Sequence, residues 1–157
     1  MPGSGKSTIG VVLAKILGYE FLDSDLVIQK RYKKRLNEII EEEGNDRFIQ
    51  IENEVNQSLN PERTVIATGG SVVYGQEAME HFQKIGTIIY LKIEYEELTK
   101  RLGNLQKRGV VLKDGQTLLG LFEERIPLYE KYAEIIIDEQ NMDIQQIALA
   151  IQGIIEK

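Results

Sequence analysis

Gly3-Ser4-Gly5-Lys6-Ser7-Thr8 opens this chain, and an apolar run over residues 9–17 follows it without a break. The six residues match the second half of the phosphate-loop pattern G-x-x-x-x-G-K-[ST], and they sit where that pattern must sit, at the start of a helix. Chemistry explains the residue types. Glycines let successive backbone N–H groups turn inward onto phosphate oxygens, and the helix N-terminus adds a partial positive charge. Lys6 supplies a full charge for the β/γ-phosphates of a nucleotide, and the Ser7 hydroxyl is suited to ligate Mg²⁺. The competing reading is a glycine-rich capping turn with a surface lysine, and the amphipathic helix directly behind GSGKST argues against it. The pattern's first glycine, and the buried strand that should precede it, would fall ahead of Met1.

Outward from the loop, the helix stops at Gly18, a residue suited to the left-handed terminator position. A short buried strand over 19–22 runs into Asp23-Ser24-Asp25. Residues 26–43 read as one charged helix broken at Gly44, and a helix over 48–59 follows with Ile51, Val55 and Leu59 on one face. A second strand over 64–67 runs into Thr68-Gly69-Gly70-Ser71. A helix over 77–84, a strand over 87–93 and a helix over 94–102 come next. Residues 103–115 are polar, basic and glycine-punctuated, as a mobile loop would be. A helix over 118–132, a strand over 135–137 and a helix over 144–155 complete the pattern. Strands alternating with helices predict an α/β fold, a parallel sheet covered on both faces.

Bulk properties narrow the function classes. A chain of 157 residues with 42% hydrophobic content predicts one globular domain over 1–157. Its formal charge of −6 disfavours a nucleic-acid or membrane-surface role, so no nucleic acid and no membrane are expected as partners. Zero cysteines exclude disulfides and thiolate metal sites. With no leader and no apolar run of spanning length, a cytoplasmic location is expected, and a monomer.

Asp23 and Asp25 close the first strand. On an extended backbone their spacing puts both side chains on one side, which at the carboxyl end of a parallel strand is the ligand crevice. One carboxylate could help hold Mg²⁺ through water while the other takes a proton from an attacking hydroxyl. Equally, Asp25 ahead of LVIQK suits a helix N-cap. The residues alone leave both readings open.

Taken in order, GSGKST, Asp23-Ser24-Asp25, Phe48-Ile49-Gln50-Ile51-Glu52, Thr68-Gly69-Gly70-Ser71, Arg108 and Glu124-Arg125-Ile126-Pro127-Leu128-Tyr129 resemble the shikimate kinase family. That family's pattern runs GSGKST, D-x-D, F-R-x-x-E, a glycine triplet, a basic lid and E-R-x-P-x-Y. The resemblance implies a three-layer nucleoside-monophosphate-kinase-like fold with strand order 2-3-1-4-5, its strand 1 outside this chain, and a lid near 103–117. It implies transfer of a phosphoryl group from ATP, with Mg²⁺, to the 3-hydroxyl of shikimate. By the same resemblance, Gly3, Ser4, Gly5, Lys6, Ser7 and Thr8 bind ATP, and Arg101 lies along the adenine. Asp25 is the base, Lys6 and Arg108 stabilise the transferring group, and Ser7 and Asp23 serve the metal. Gly69 and Gly70 offer backbone N–H groups to the substrate, and Arg125 grips its carboxylate.

Three positions depart from the pattern. Ile49 stands where the family has a second carboxylate-binding arginine, Ser71 replaces the third glycine, and the lid's R-P-L-L becomes Arg108-Gly109-Val110-Val111. Two alternatives therefore stand beside the shikimate reading: a kinase of another small hydroxylated metabolite, and a kinase-like domain that binds without turnover. Other features read as structural. His81 is expected at a surface or boundary, Arg31, Lys33, Lys34 and Arg35 on a solvated face, and Tyr90 and Tyr129 in packing with satisfied hydroxyls. Arg125 has a structural alternative too, an ion pair with a neighbouring glutamate.

Overall fold

The computed structural model describes residues 1–102 and 112–157. Helix α1 (Lys6–Leu17) begins inside the phosphate loop, three residues earlier than its apolar run, and ends on Gly18 at φ 67°. Strand β1 (Glu20–Asp23) leads into α2 (Ser24–Tyr32), α3 (Leu36–Glu43) and α4 (Asn45–Gln57). Strand β2 (Thr64–Ala67) passes into a 3₁₀ turn (Gly70–Tyr74), then α5 (Gln76–Ile85), β3 (Ile89–Lys92) and α6 (Tyr95–Arg101). The chain closes with α7 (Leu118–Tyr132), β4 (Ile135–Asp138) and α8 (Ile144–Ile155).

The single helix expected over 26–43 is two. Lys33 takes a left-handed conformation, φ 53°, and its N–H donates to the Gln29 carbonyl. The amide of Lys34 donates to the same carbonyl at 3.3 Å, and Leu36 N–H donates to Gln29 Oε1 at 3.2 Å. One glutamine thus satisfies the backbone groups released by the break. Apolar positions of α2, α3 and α4 then close a small core of Ile28, Ile39, Phe48, Ile51 and Val55. Within the basic run, Lys34 pairs with Glu42 on the exposed face, as a solvated surface would.

Both strand pairs are parallel, as expected. Glu20 to Asp23 run beside Thr64 to Ala67, and Ile89 to Lys92 beside Ile135 to Asp138. They form two separate two-stranded sheets, β1-β2 and β3-β4. This is the arrangement the order 2-3-1-4-5 gives when its first strand is left out. Between the sheets lies a cavity of about 500 Å³, lined by Val65, Ile66 and Ala67 of β2, Ile89, Tyr90 and Leu91 of β3, and Leu13 and Leu17 of α1. Among the described residues, each facing strand edge has no neighbouring strand there. Helices bridge the gap: Ile9 and Leu13 of α1 pack with Ile147, Ala148 and Ile151 of α8 and with Leu91 and Ile137. Met1 is buried at the end of the gap. Burial holds its ammonium well below the usual range, with Lys6 and Arg125 pushing the same way.

Candidate functional site

A second cavity, about 300 Å³, lies at the carboxyl ends of β1 and β2. Gly3, Gly5, Lys6, Ser7 and Thr8 form one wall, and Asp25, Phe48, Glu52, the stretch Thr68 to Ser71, and Arg125 form the other. The fold thus places the phosphate loop opposite the expected substrate residues. Position at strand ends is where α/β sheets bind ligands.

In the loop, Gly3 (φ 78°) and Gly5 (φ 83°) adopt the left-handed backbone that lets the amides turn inward. Gly5 is the N-cap of α1 and supplies no side-chain cap, which leaves the first amides of the helix for an anion. Ser4 is fully buried, and its hydroxyl donates to Met1 O at 2.9 Å. Lys6 Nζ arches back to donate to Met1 O at 2.5 Å. Burial lowers the Lys6 ammonium to about 8, against the opposing pull of Asp25.

Asp23 and Asp25 turn out to do different things. They do not share an extended backbone, because β1 ends at Asp23 and Asp25 already lies in the first turn of α2. The N-cap is Asp23: its Oδ1 accepts from Asp25 N at 2.9 Å and Leu26 N at 3.3 Å. Its other oxygen, Oδ2, accepts from the Ser7 hydroxyl at 3.0 Å, tying the loop to β1. Asp25 is left to face the cavity, and its Oδ1 is buried with no hydrogen-bond partner among the described residues. Burial, then the charge of Asp23, raises its carboxyl to about 6, with Lys6 opposing.

Gly69 and Gly70 have no room for a side chain. A Cβ on Gly69 would stand 2.8 Å from Asp25 Oδ1 and 2.8 Å from Glu52 Oε2, and one on Gly70 would stand 2.9 Å from an Arg125 nitrogen. Arg125 is 1% exposed, although it is a charged residue on α7. Its Nε donates to Tyr74 Oη at 3.4 Å, its guanidinium lies 5.3 Å from the Tyr74 ring centroid, and it lines the cavity. The adjacent Glu124 turns instead to Lys113, Gln116 and Tyr74.

Arg101 lies outside the cavity lining and pairs with Glu97 and Glu139, each at 3.0 Å. Arg108 lies outside the described residues. Ile49 also misses the cavity and packs against the Ile28–Phe48 core, while Arg47 pairs with Glu54 on the surface. His81 is part-buried, with Nε2 2.5 Å from the Leu59 carbonyl. Of the two tyrosines expected to be satisfied, Tyr129 is: it donates to Gly70 O at 2.6 Å. Tyr90 stacks on Tyr129 at the sheet gap, and its hydroxyl has no partner among the described residues.

Glu52, quoted in the sequence only as the end of the Phe48–Glu52 motif, is the site residue that was given no role there. It is 2% exposed and accepts from the Ser71 hydroxyl at 2.5 Å. Its signal was present: a glutamate four residues after Phe48, on the apolar face of α4 with Ile51 and Val55. Among the described residues no group of three or more His, Cys, Asp or Glu converges as a metal cage, and no helix is long and apolar enough to cross a membrane.

Comparisons with known proteins bear on the fold and the family. The family model for shikimate kinase matches residues 2–156. A shikimate kinase of Dictyoglomus turgidum is 38% identical over 155 residues, covering 95% of this chain and 90% of the relative. One of Thermodesulfovibrio yellowstonii is 35% identical, with 93% and 86% covered. Among solved structures, shikimate kinase from Acinetobacter baumannii in complex with shikimate superposes with a TM-score of 0.89 at 30% identity, over 98% of this chain and 88% of that one. The enzyme from Aquifex aeolicus gives 0.84, also at 30% identity, over 99% and 92%. With its P-loop α/β fold, the chain belongs to the shikimate kinase family.

Proposed function

We propose that this protein transfers the γ-phosphoryl group of ATP to the 3-hydroxyl of shikimate. The observation that carries the reading is Asp25: a carboxylate with a buried oxygen that has no partner among the described residues, facing a cavity whose other wall is a phosphate loop. Its proton affinity, raised to about 6, suits a general base near neutral pH.

Each group then has a task. Arg125, buried and oriented by Tyr74, presents a guanidinium to the acceptor's carboxylate. The amides of Gly69 and Gly70 take an acceptor oxygen, and the close approach of Asp25, Glu52 and Arg125 requires glycine there. Asp25 removes the proton of the reacting hydroxyl, and that oxygen forms its bond to the γ-phosphorus as the bond to ADP breaks. Lys6 and the amides of the loop stabilise charge on the transferring group. Ser7 Oγ and Asp23 Oδ2, 3.0 Å apart, are hard oxygen donors suited to Mg²⁺, which keeps several waters rather than a protein cage. When bound, the ion neutralises charge on the β- and γ-phosphates. Arg108, which lies outside the described residues, supplies positive charge at the phosphates, and Arg101 leaves its glutamate partners to lie along the adenine. The whole acts as one domain over 1–157, a monomer in the cytoplasm.

The test is ADP release by the purified protein with Mg²⁺ and ATP against a panel of hydroxylated carboxylates. Shikimate should give the highest kcat/KM. Preference for another acceptor, or binding of shikimate without turnover, overturns the reading.

A further inference from the structure

Glu52 and Ser71 are buried, polar and bonded to each other across 19 positions of sequence. Ser71 lies in the 3₁₀ turn after β2, and Glu52 on α4. Their contact, Ser71 Oγ donating to Glu52 Oε1 at 2.5 Å, has the shortness of a hydrogen bond to a charged acceptor. The residues are 6% and 2% exposed. Glu52 Oε2 is also buried and has no hydrogen-bond partner among the described residues.

That oxygen does not point into apolar packing. It approaches the site of a Gly69 Cβ as closely as Asp25 Oδ1 does, at 2.8 Å each. Two carboxylate oxygens, one from α2 and one from α4, therefore converge beside Gly69 on the wall of the same cavity. A buried carboxylate oxygen is costly without a donor, and a carboxylate can only accept. A ligand that satisfies it must bring a donor, and a hydroxylated acceptor in this cavity brings one as a hydroxyl. Carboxylate torsions are broad, so without an anchor on Oε1 the group would turn freely. Ser71 is that anchor.

We propose that Ser71 is a positioning residue for acceptor recognition: its hydroxyl orients Glu52 so that Oε2 accepts a hydrogen bond from the acceptor hydroxyl adjoining the one that is phosphorylated. This rests on the shikimate reading above and makes the site a reader of neighbouring hydroxyls. Burial raises the Glu52 carboxyl to about 7, and the bond from Ser71 pulls it back toward the ionised form that accepts.

The test is steady-state kinetics of the full chain, wild type, Ser71→Ala, Glu52→Gln and the double variant, with shikimate and with its 4-deoxy and 5-deoxy analogues. Ser71→Ala is expected to raise KM for shikimate about tenfold, more than it lowers kcat, the scale of a weakened charged hydrogen bond. The double variant should be no worse than Glu52→Gln, because the serine acts through the glutamate. On the 4-deoxy analogue, lacking the adjoining hydroxyl that Glu52 holds, wild type and Ser71→Ala should have equal KM, while the 5-deoxy analogue should keep the difference. A KM unchanged by Ser71→Ala, an equal shift on every acceptor, or additive single variants overturns the inference while the functional reading stands. A wild-type protein inert toward shikimate overturns both.

Discussion

At the scale of residues, the site works by placing charges where water cannot relieve them. Lys6 is the clearest case: burial brings its ammonium down to about 8, and nearby carboxylates restore part of its charge. Lys6→Ala should lower kcat by at least about a hundredfold, the scale of losing a preorganised charge at the transferring group. Rapid-quench or steady-state turnover at saturating ATP measures it, and near-normal turnover would move the site elsewhere. The same burial shapes the pH profile. Asp25 must be ionised to act as base, so activity falls as pH drops through about 6. Lys6 must be protonated, so activity also falls as pH rises through about 8. The expected kcat/KM profile is a bell between those values, reporting the free enzyme. In Asp25→Asn most of the activity should vanish, and the acid limb that remains should report Glu52, raised to about 7.

At the scale of elements, much was legible because local physics was undisturbed. The apolar runs of β2, α7 and α8 gave their bounds to the residue, since each is bounded by turn or capping residues such as Thr117 and Asp143. The break after α2 was not legible. Lys33 carries no turn signature, and the Gln29 contacts that stabilise its left-handed backbone exist only once the helix stops. For a related reason Asp23 and Asp25 could not be separated by spacing. Which one caps α2 depends on where β1 ends. The Ser71–Glu52 bond left no pattern, because it joins a turn to a helix through space. Helix α4 also carries a prediction about acceptor binding. Ile49 faces the Ile28–Phe48 core, not the cavity, so only a long side chain could reach from it toward the acceptor. Ile49→Arg is expected to strengthen shikimate binding about tenfold, as a second charged hydrogen bond would. Calorimetric titration checks it. Unchanged or weaker binding would favour a different acceptor.

At the scale of the molecule, the gap between β2 and β3 dominates. Among the described residues, backbone groups facing it have no ladder partner, and much of its wall is apolar. An apolar strand ending in glycine, fused ahead of Met1, should slide between the sheets, pair with both and remove the buried ammonium. Each large side chain it buries contributes about 1.5–3 kcal/mol, so Tm should rise by about 5 °C or more. ATP affinity should rise with it, because the loop's entry would be held by the sheet. A melting curve and a nucleotide titration measure both, and no change in either would mean that the gap does not accept a strand. The gap has a mechanical consequence as well. Asp25 and Glu52 belong to the flank of β1 and β2, while Arg125 sits on α7, which leads directly into β4 of the other pair. A ladder of hydrogen bonds resists sliding along the strand direction at every residue, whereas side chains packed between α1 and α8 resist it only through their shape. The arginine is joined to the β2 flank instead by two hydrogen bonds, Arg125 to Tyr74 and Tyr129 to Gly70 O, so the span of acceptor the site grips rests on those contacts and on helix packing rather than on a ladder.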